Sequence, residues 1–94
     1  MPKLTLSKPL TYEGEDYTEL EYDLDALTGD DLLIAEAQVT EDGVLTPLPL
    51  ATGNYQAAVF ARAAKIEYDM MRKLPARDFI AATQVVKVFL NDSV

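Results

Sequence analysis

The chain has 94 residues, 49% of them hydrophobic, which suits one small globular domain and leaves no room for a second core. Sixteen Asp and Glu against eight Lys and Arg give a net charge of −8, so nucleic acid and anionic membrane surfaces are poor partners. With no Cys and no His, thiol chemistry, disulfide stapling, zinc-finger sites and His-based acid–base catalysis are excluded.

The acidity is uneven. Residues 1–49 hold twelve acids and two bases, and residues 50–94 hold four acids and six bases. Halves of opposite sign can bring copies together head to tail, and a small core without staples gains from such a homo-oligomer. A solvated acidic front that keeps the protein dissolved is the plainer reading. No apolar run is long enough to span a bilayer, and the start Met-Pro-Lys-Leu-Thr-Leu is too polar for a signal peptide. The expectation is a soluble cytoplasmic protein.

Residues 3–10 alternate, with Leu4, Leu6 and Leu10 on one face and Thr5, Ser7 and Pro9 on the other. That predicts a half-buried strand, with Pro9 at an edge or at the strand end. Gly14 supplies the positive φ of a tight reversal. Residues 17–24 alternate again, Thr18, Leu20, Tyr22 and Leu24 inward, Glu19, Glu21 and Asp23 outward. The hairpin over 3–24 is marginal alone and must lie on helices or gain strands from a neighbour.

Thr28 and Asp31 form a capping box opening a helix over about 29–41, with Leu32, Leu33, Ala35, Ala37 and Val39, and Gly43 as its stop. Residues 43–53 make a loop with two prolines and four large apolar side chains, read as a strap across the core or against a partner. Residues 54–74 read as the longest helix, capped by Thr52 or Asn54. Tyr55, Val59, Ala63, Ile66, Met70 and Leu74 form one stripe; Ala57, Phe60, Ala61, Ala64, Tyr68 and Met71 form a second beside it. Such a helix is either central in the bundle or turns its second stripe to another chain. Pro75 ends it and starts a last helix over 76–90, where the 79/82/86/89/90 spacing outweighs the strand-like Val85–Phe89. The tail 91–94 frays. The fold class is α+β: an N-terminal two-stranded antiparallel hairpin followed by a small bundle of about three helices.

Asp23, Asp25, Asp30 and Asp31 hint at a calcium loop, but Leu24, Ala26 and Leu27 intrude and no Glu closes it. Gly14, Gly29, Gly43 and Gly53 are scattered singly, so no phosphate loop exists, and the carboxylates fall in no catalytic motif. Neither enzyme activity, nor a metal, nor a cofactor is expected. Met70 reads as core. Phe60, Ala64, Tyr68 and Met71, with Leu48 and Leu50 of the loop, read as a partner-binding surface. On that reading Phe60→Asp or Met71→Asp abolishes binding and leaves the fold intact.

The run Leu4-Thr5-Leu6-Ser7-Lys8-Pro9-Leu10, then Tyr12-Glu13-Gly14 and Tyr17-Thr18-Glu19-Leu20, resembles the opening of the tail assembly chaperone family of Mu-like and P2-like tailed phages. Thr28-Gly29-Asp30-Asp31-Leu32 is similar to that family's next helix start. Leu74-Pro75-Ala76-Arg77-Asp78-Phe79 and Val85-Val86-Lys87-Val88-Phe89-Leu90 are similar to its final segment. Only the 41–54 loop, rich in Pro and Leu, departs from the pattern. The resemblance implies a chaperone, in a phage or prophage, that binds the tape-measure protein in the host cytoplasm. It would hold that protein soluble while tail-tube subunits assemble around it, with no catalytic residues. A longer frameshifted form often accompanies such proteins. The alternatives are a small acidic inhibitor or DNA mimic, built on Glu13, Glu15, Asp16, Glu19, Glu21, Asp23, Asp25, Asp30 and Asp31, and a structural tail or head-completion subunit.

Overall fold

Two strands open the chain, β1 (Lys3–Tyr12) and β2 (Glu15–Glu21), paired antiparallel in a computed structural model that describes residues 2–41 and 53–92. The reversal is a two-residue turn with both central residues left-handed, Glu13 at φ 49° and Gly14 at φ 83°. This turn type matches the natural twist of the strands.

The pairing is not regular. Leu4 faces Leu20 and Thr5 faces Glu19, but the next pair is Leu10 with Tyr17. Five steps along β1 are therefore set against two along β2, a wide bulge over Ser7, Lys8 and Pro9. Pro9 has no N–H to give a ladder. Ser7 turns its N–H away from β2, to both carboxylate oxygens of Asp78 at 3.0 and 3.1 Å. The bulge changes which side chains face inward. Leu6 and Leu20 are buried, and Tyr17 packs against the core where the strict alternation expected Thr18, which is exposed.

After a short 3₁₀ turn (Leu24–Ala26), α1 runs Gly29–Glu41 as expected. Its capping box forms: the Asp31 N–H donates to Thr28 Oγ1 at 3.4 Å, and the Thr28 N–H donates back to Asp31 Oδ2 at 2.9 Å. Gly43, the expected stop, and the strap expected over 43–53 lie outside the described residues except for Gly53, which opens the next helix.

The helix expected over 54–74 is two helices, α2 (Gly53–Ala64) and α3 (Tyr68–Met71). The break lies at Lys65, which adopts φ 57°. The Ile66 N–H then reaches back to the Ala61 carbonyl at 3.0 Å, and the Lys65 N–H to that of Arg62 at 3.3 Å. This paired closure ends many helices, normally on Gly. Here Lys fills the left-handed place, so no breaker residue marks the end. The Asp23 N–H takes the Ala63 carbonyl at 3.1 Å, tying the hairpin's end to the same helix terminus.

Pro75 precedes α4 (Ala76–Asp92), which runs two residues past the expected 76–90 into the tail. Asp78, 3% exposed, sits in its first turn, where the helix N-terminus favours an anion. Besides the Ser7 N–H it accepts the Ser7 hydroxyl at 3.0 Å, clasping the β1 bulge to α4.

Helix α2 is the centre of the fold. Eight of its residues are buried, from Tyr55 through Ala61 and again at Ala63. Helices α1, α3 and α4 pack on it, and β1 packs on α4. The Phe60 ring lies 5.1 Å from that of Tyr22, tilted by 47°, so the hairpin covers a further side.

A candidate partner-binding groove

The early end of α2 leaves an open groove of about 990 Å³ beside its last turn. Ala61, Ala63 and Ala64 of α2 line it with Leu27, Ile66 and Tyr68. These side chains are small or half-buried, so the floor is apolar and shallow, and a partner backbone can approach closely. Glu21 and Asp23 from the hairpin's end, Asp31 from α1, Glu67 from the α2–α3 turn and Asp69 from α3 stand around it, with Arg62 and Lys65.

The balance of charge is negative. Arg62 is held by Asp31, with Nη2 at 2.6 Å and Nε at 3.0 Å from the same oxygen. The backbone N–H of Thr28, and then the Arg62 guanidinium, hold the Asp31 carboxyl below the usual carboxylate range. Glu67 and Asp69 share the hydroxyl of Tyr12, which donates at 2.9 and 3.4 Å. The bond to Glu67 first, then loss of hydration, and then the charges of Glu67, Asp69 and Glu13 push the Tyr12 phenol well above its ordinary range. The carbonyl end of α2 adds partial negative charge to the same place. On the groove wall, Gln38 carries a buried Oε1 that accepts no hydrogen bond from the described residues.

The residues expected to bind a partner divide. Ala64 and Tyr68 line the groove and are half-buried. Phe60 and Met71 are both 0% exposed and belong to the core. The left-handed turn at Lys65 removes the continuous helical face that would have aligned all four, and the hairpin's Tyr22 covers Phe60. Leu48 and Leu50 lie outside the described residues. Met70 is core, as expected. Phe60→Asp therefore puts a carboxylate in the protein interior, and the expectation that the fold survives it does not hold.

Among the described residues three large apolar side chains stand in solvent: Leu33 on α1 at 65% exposure, and Ile80 and Val88 on α4 at 60% and 57%. Ile80 and Val88 lie eight residues apart on one side of α4. A sequence signal for them exists. Leu32, Ala35 and Val39 keep the core period of α1, and Phe79, Ala82 and Val86 that of α4, which leaves Leu33, Ile80 and Val88 off the pattern. The groove carries no such signal, because it depends on where α2 stops.

Among the described residues no group of three acidic side chains is placed to hold a metal ion, and no helix is long and apolar enough to cross a membrane.

Residues 3–91 match the family model described as "Phage tail assembly chaperone proteins, E, or 41 or 14". The search of curated proteins and the search of solved structures each returned no match.

Proposed function

The chain belongs to the phage tail assembly chaperone family, and we propose that within it the protein binds the tape-measure protein, holding it soluble in the host cytoplasm while tail-tube subunits assemble around it. The observation that carries this reading is the open groove at the end of α2, an apolar floor inside an acidic rim. A long helical protein with an apolar stripe needs a partner that covers the stripe and presents charge to water. The groove offers the first and the acidic N-terminal half the second. Release must follow, so binding rests on modest contacts that dissociate readily rather than on one deep pocket. The small floor residues suit that requirement. No catalytic group is needed.

The test is co-expression with the tape-measure protein, reading that protein's soluble fraction and its co-elution with the chain. Soluble, co-eluting partner is the expected result. A partner that stays insoluble beside abundant folded chain overturns the reading.

A further inference from the structure

We infer that the groove at the C-terminal end of α2 takes a lysine- or arginine-bearing amphipathic helix of the partner, seated apolar face down on Ala64, Leu27 and Ile66. Its volume of about 990 Å³ is that of roughly two turns of a helix ~10 Å across. At Ala64 the floor carries only a methyl group, which lets a helix backbone come close as a bulkier side chain would not. Charge selects the occupant. Glu21, Asp23, Glu67 and Asp69 line the groove at the negative end of a helix dipole, and of the two cations there Arg62 is already engaged by Asp31. A basic segment is drawn in and an acidic one repelled, which gives both faster encounter and discrimination. Gln38 Oε1 on the groove wall, without a donor among the described residues, becomes an acceptor for a partner N–H once its side chain turns outward.

The inference rests on the chaperone reading only for the identity of the partner, and two measurements separate them. The first is fluorescence anisotropy of the full chain with two labelled synthetic peptides, an amphipathic Leu/Ala helix whose polar face is Lys and its counterpart bearing Glu. The Lys peptide binds, weakening steeply with salt; the Glu peptide binds at least tenfold more weakly. Ala64→Arg, which fills the floor and adds a like charge, and Glu67→Lys each weaken Lys-peptide binding tenfold or more. Circular dichroism melts check that the variants fold, and Leu33→Lys, outside the groove, serves as the control and binds as the parent does. Equal binding of both peptides, or loss on Leu33→Lys with none on Ala64→Arg, overturns the groove. The second is tape-measure solubilisation by the same variants. If folded Ala64→Arg solubilises the partner as well as the parent chain does, the groove is wrong and the chaperone reading stands. If the parent chain fails to solubilise it while the Lys peptide still binds, the chaperone reading falls and the groove stands.

Discussion

Asp78 is the test of how the hairpin is held to the helices. Its carboxylate, 3% exposed, accepts three hydrogen bonds from Ser7, two from the N–H and one from the hydroxyl. Hydrogen bonds to a charged group contribute ~1.5–3 kcal/mol, and an anion in the first turn of a helix adds ~0.3–1 kcal/mol. Ser7 lies at the surface, so water replaces part of what it loses, and the sum belongs near the lower end. Asp78→Ala should cost about 2 kcal/mol of the ~5–14 kcal/mol expected for a chain this long. At ~4–8 °C per kcal/mol, that lowers Tm by about 8–16 °C. Asp78→Asn keeps the shape and one acceptor but not the charge, and should cost about half as much. Ser7→Ala removes only the hydroxyl bond, about 0.5–1 kcal/mol. Thermal and urea melts followed by circular dichroism rank the three. A melting point for Asp78→Ala within a few degrees of the parent, or Ser7→Ala as damaging as Asp78→Ala, refutes the clasp.

Lys65 at φ 57° holds a conformation that costs an L-residue ~1–2 kcal/mol. Lys65→Gly should be neutral to slightly stabilising once unfolded-state entropy is counted, and Lys65→Val should lower the urea midpoint; an unchanged midpoint for Val refutes the left-handed turn. The Asp31 carboxyl is depressed, so its contribution is present above the ordinary carboxylate range and is lost as pH falls toward the folded value; Arg62→Ala should flatten the acid limb of stability against pH. The Tyr12 phenol is raised, so its contribution is present below ~10 and is lost at higher pH; Tyr12→Phe should flatten the alkaline limb, measured by urea unfolding at stepped pH. Phe60→Asp should leave no cooperative melt, because a buried unpaired charge costs several kcal/mol, whereas Leu33→Lys should stay within ~0.5 kcal/mol of the parent.

The parts of the fold written in local chemistry were legible in the sequence. The capping box at Thr28 and Asp31 places the start of α1, and Pro75 places that of α4, because each acts through neighbouring backbone groups. Gly14 marks the reversal for the same reason, although Glu13 shares its left-handed conformation with no glycine to announce it. The β1 bulge was not legible. Leu4, Leu6, Leu10 and Tyr12 keep an even alternation straight through it; Pro9 announces a missing donor, but the carboxylate that takes the Ser7 N–H comes from Asp78, 71 residues away. The end of α2 was hidden likewise, since Lys65 is an ordinary helix former and the bond that reaches this terminus from elsewhere in the chain, from the Asp23 N–H to the Ala63 carbonyl, has no local signal. The candidate site inherits that limit. Ala64 and Tyr68 were picked out as apolar residues at helical spacing, but the same spacing also gathered Phe60 and Met71, which the fold buries.

The sequence carries more apolar surface between 54 and 74 than one surface helix needs, and the break at Lys65 decides what becomes of it. A continuous helix would present Phe60, Ala64, Tyr68 and Met71 as one greasy stripe to solvent or to a neighbour. The left-handed turn folds α3 back, so Met70 and Met71 close over the core and the hairpin's Tyr22 covers Phe60. What stays open beside the last turn of α2 is the half-buried surface of Ala64, Leu27 and Ile66, with Glu67 of the turn and Asp69 of α3 next to it. Apolar area thus goes largely into stability, and the remainder is shallow and ringed with charge. A strong stripe would hold a helical partner too tightly to let it go, since affinity differences in such interfaces are expressed mainly as slower release. A shallow acidic groove instead draws a basic helix by long-range attraction and holds it by few contacts, so salt should tune its capture while the apolar floor sets how long it stays.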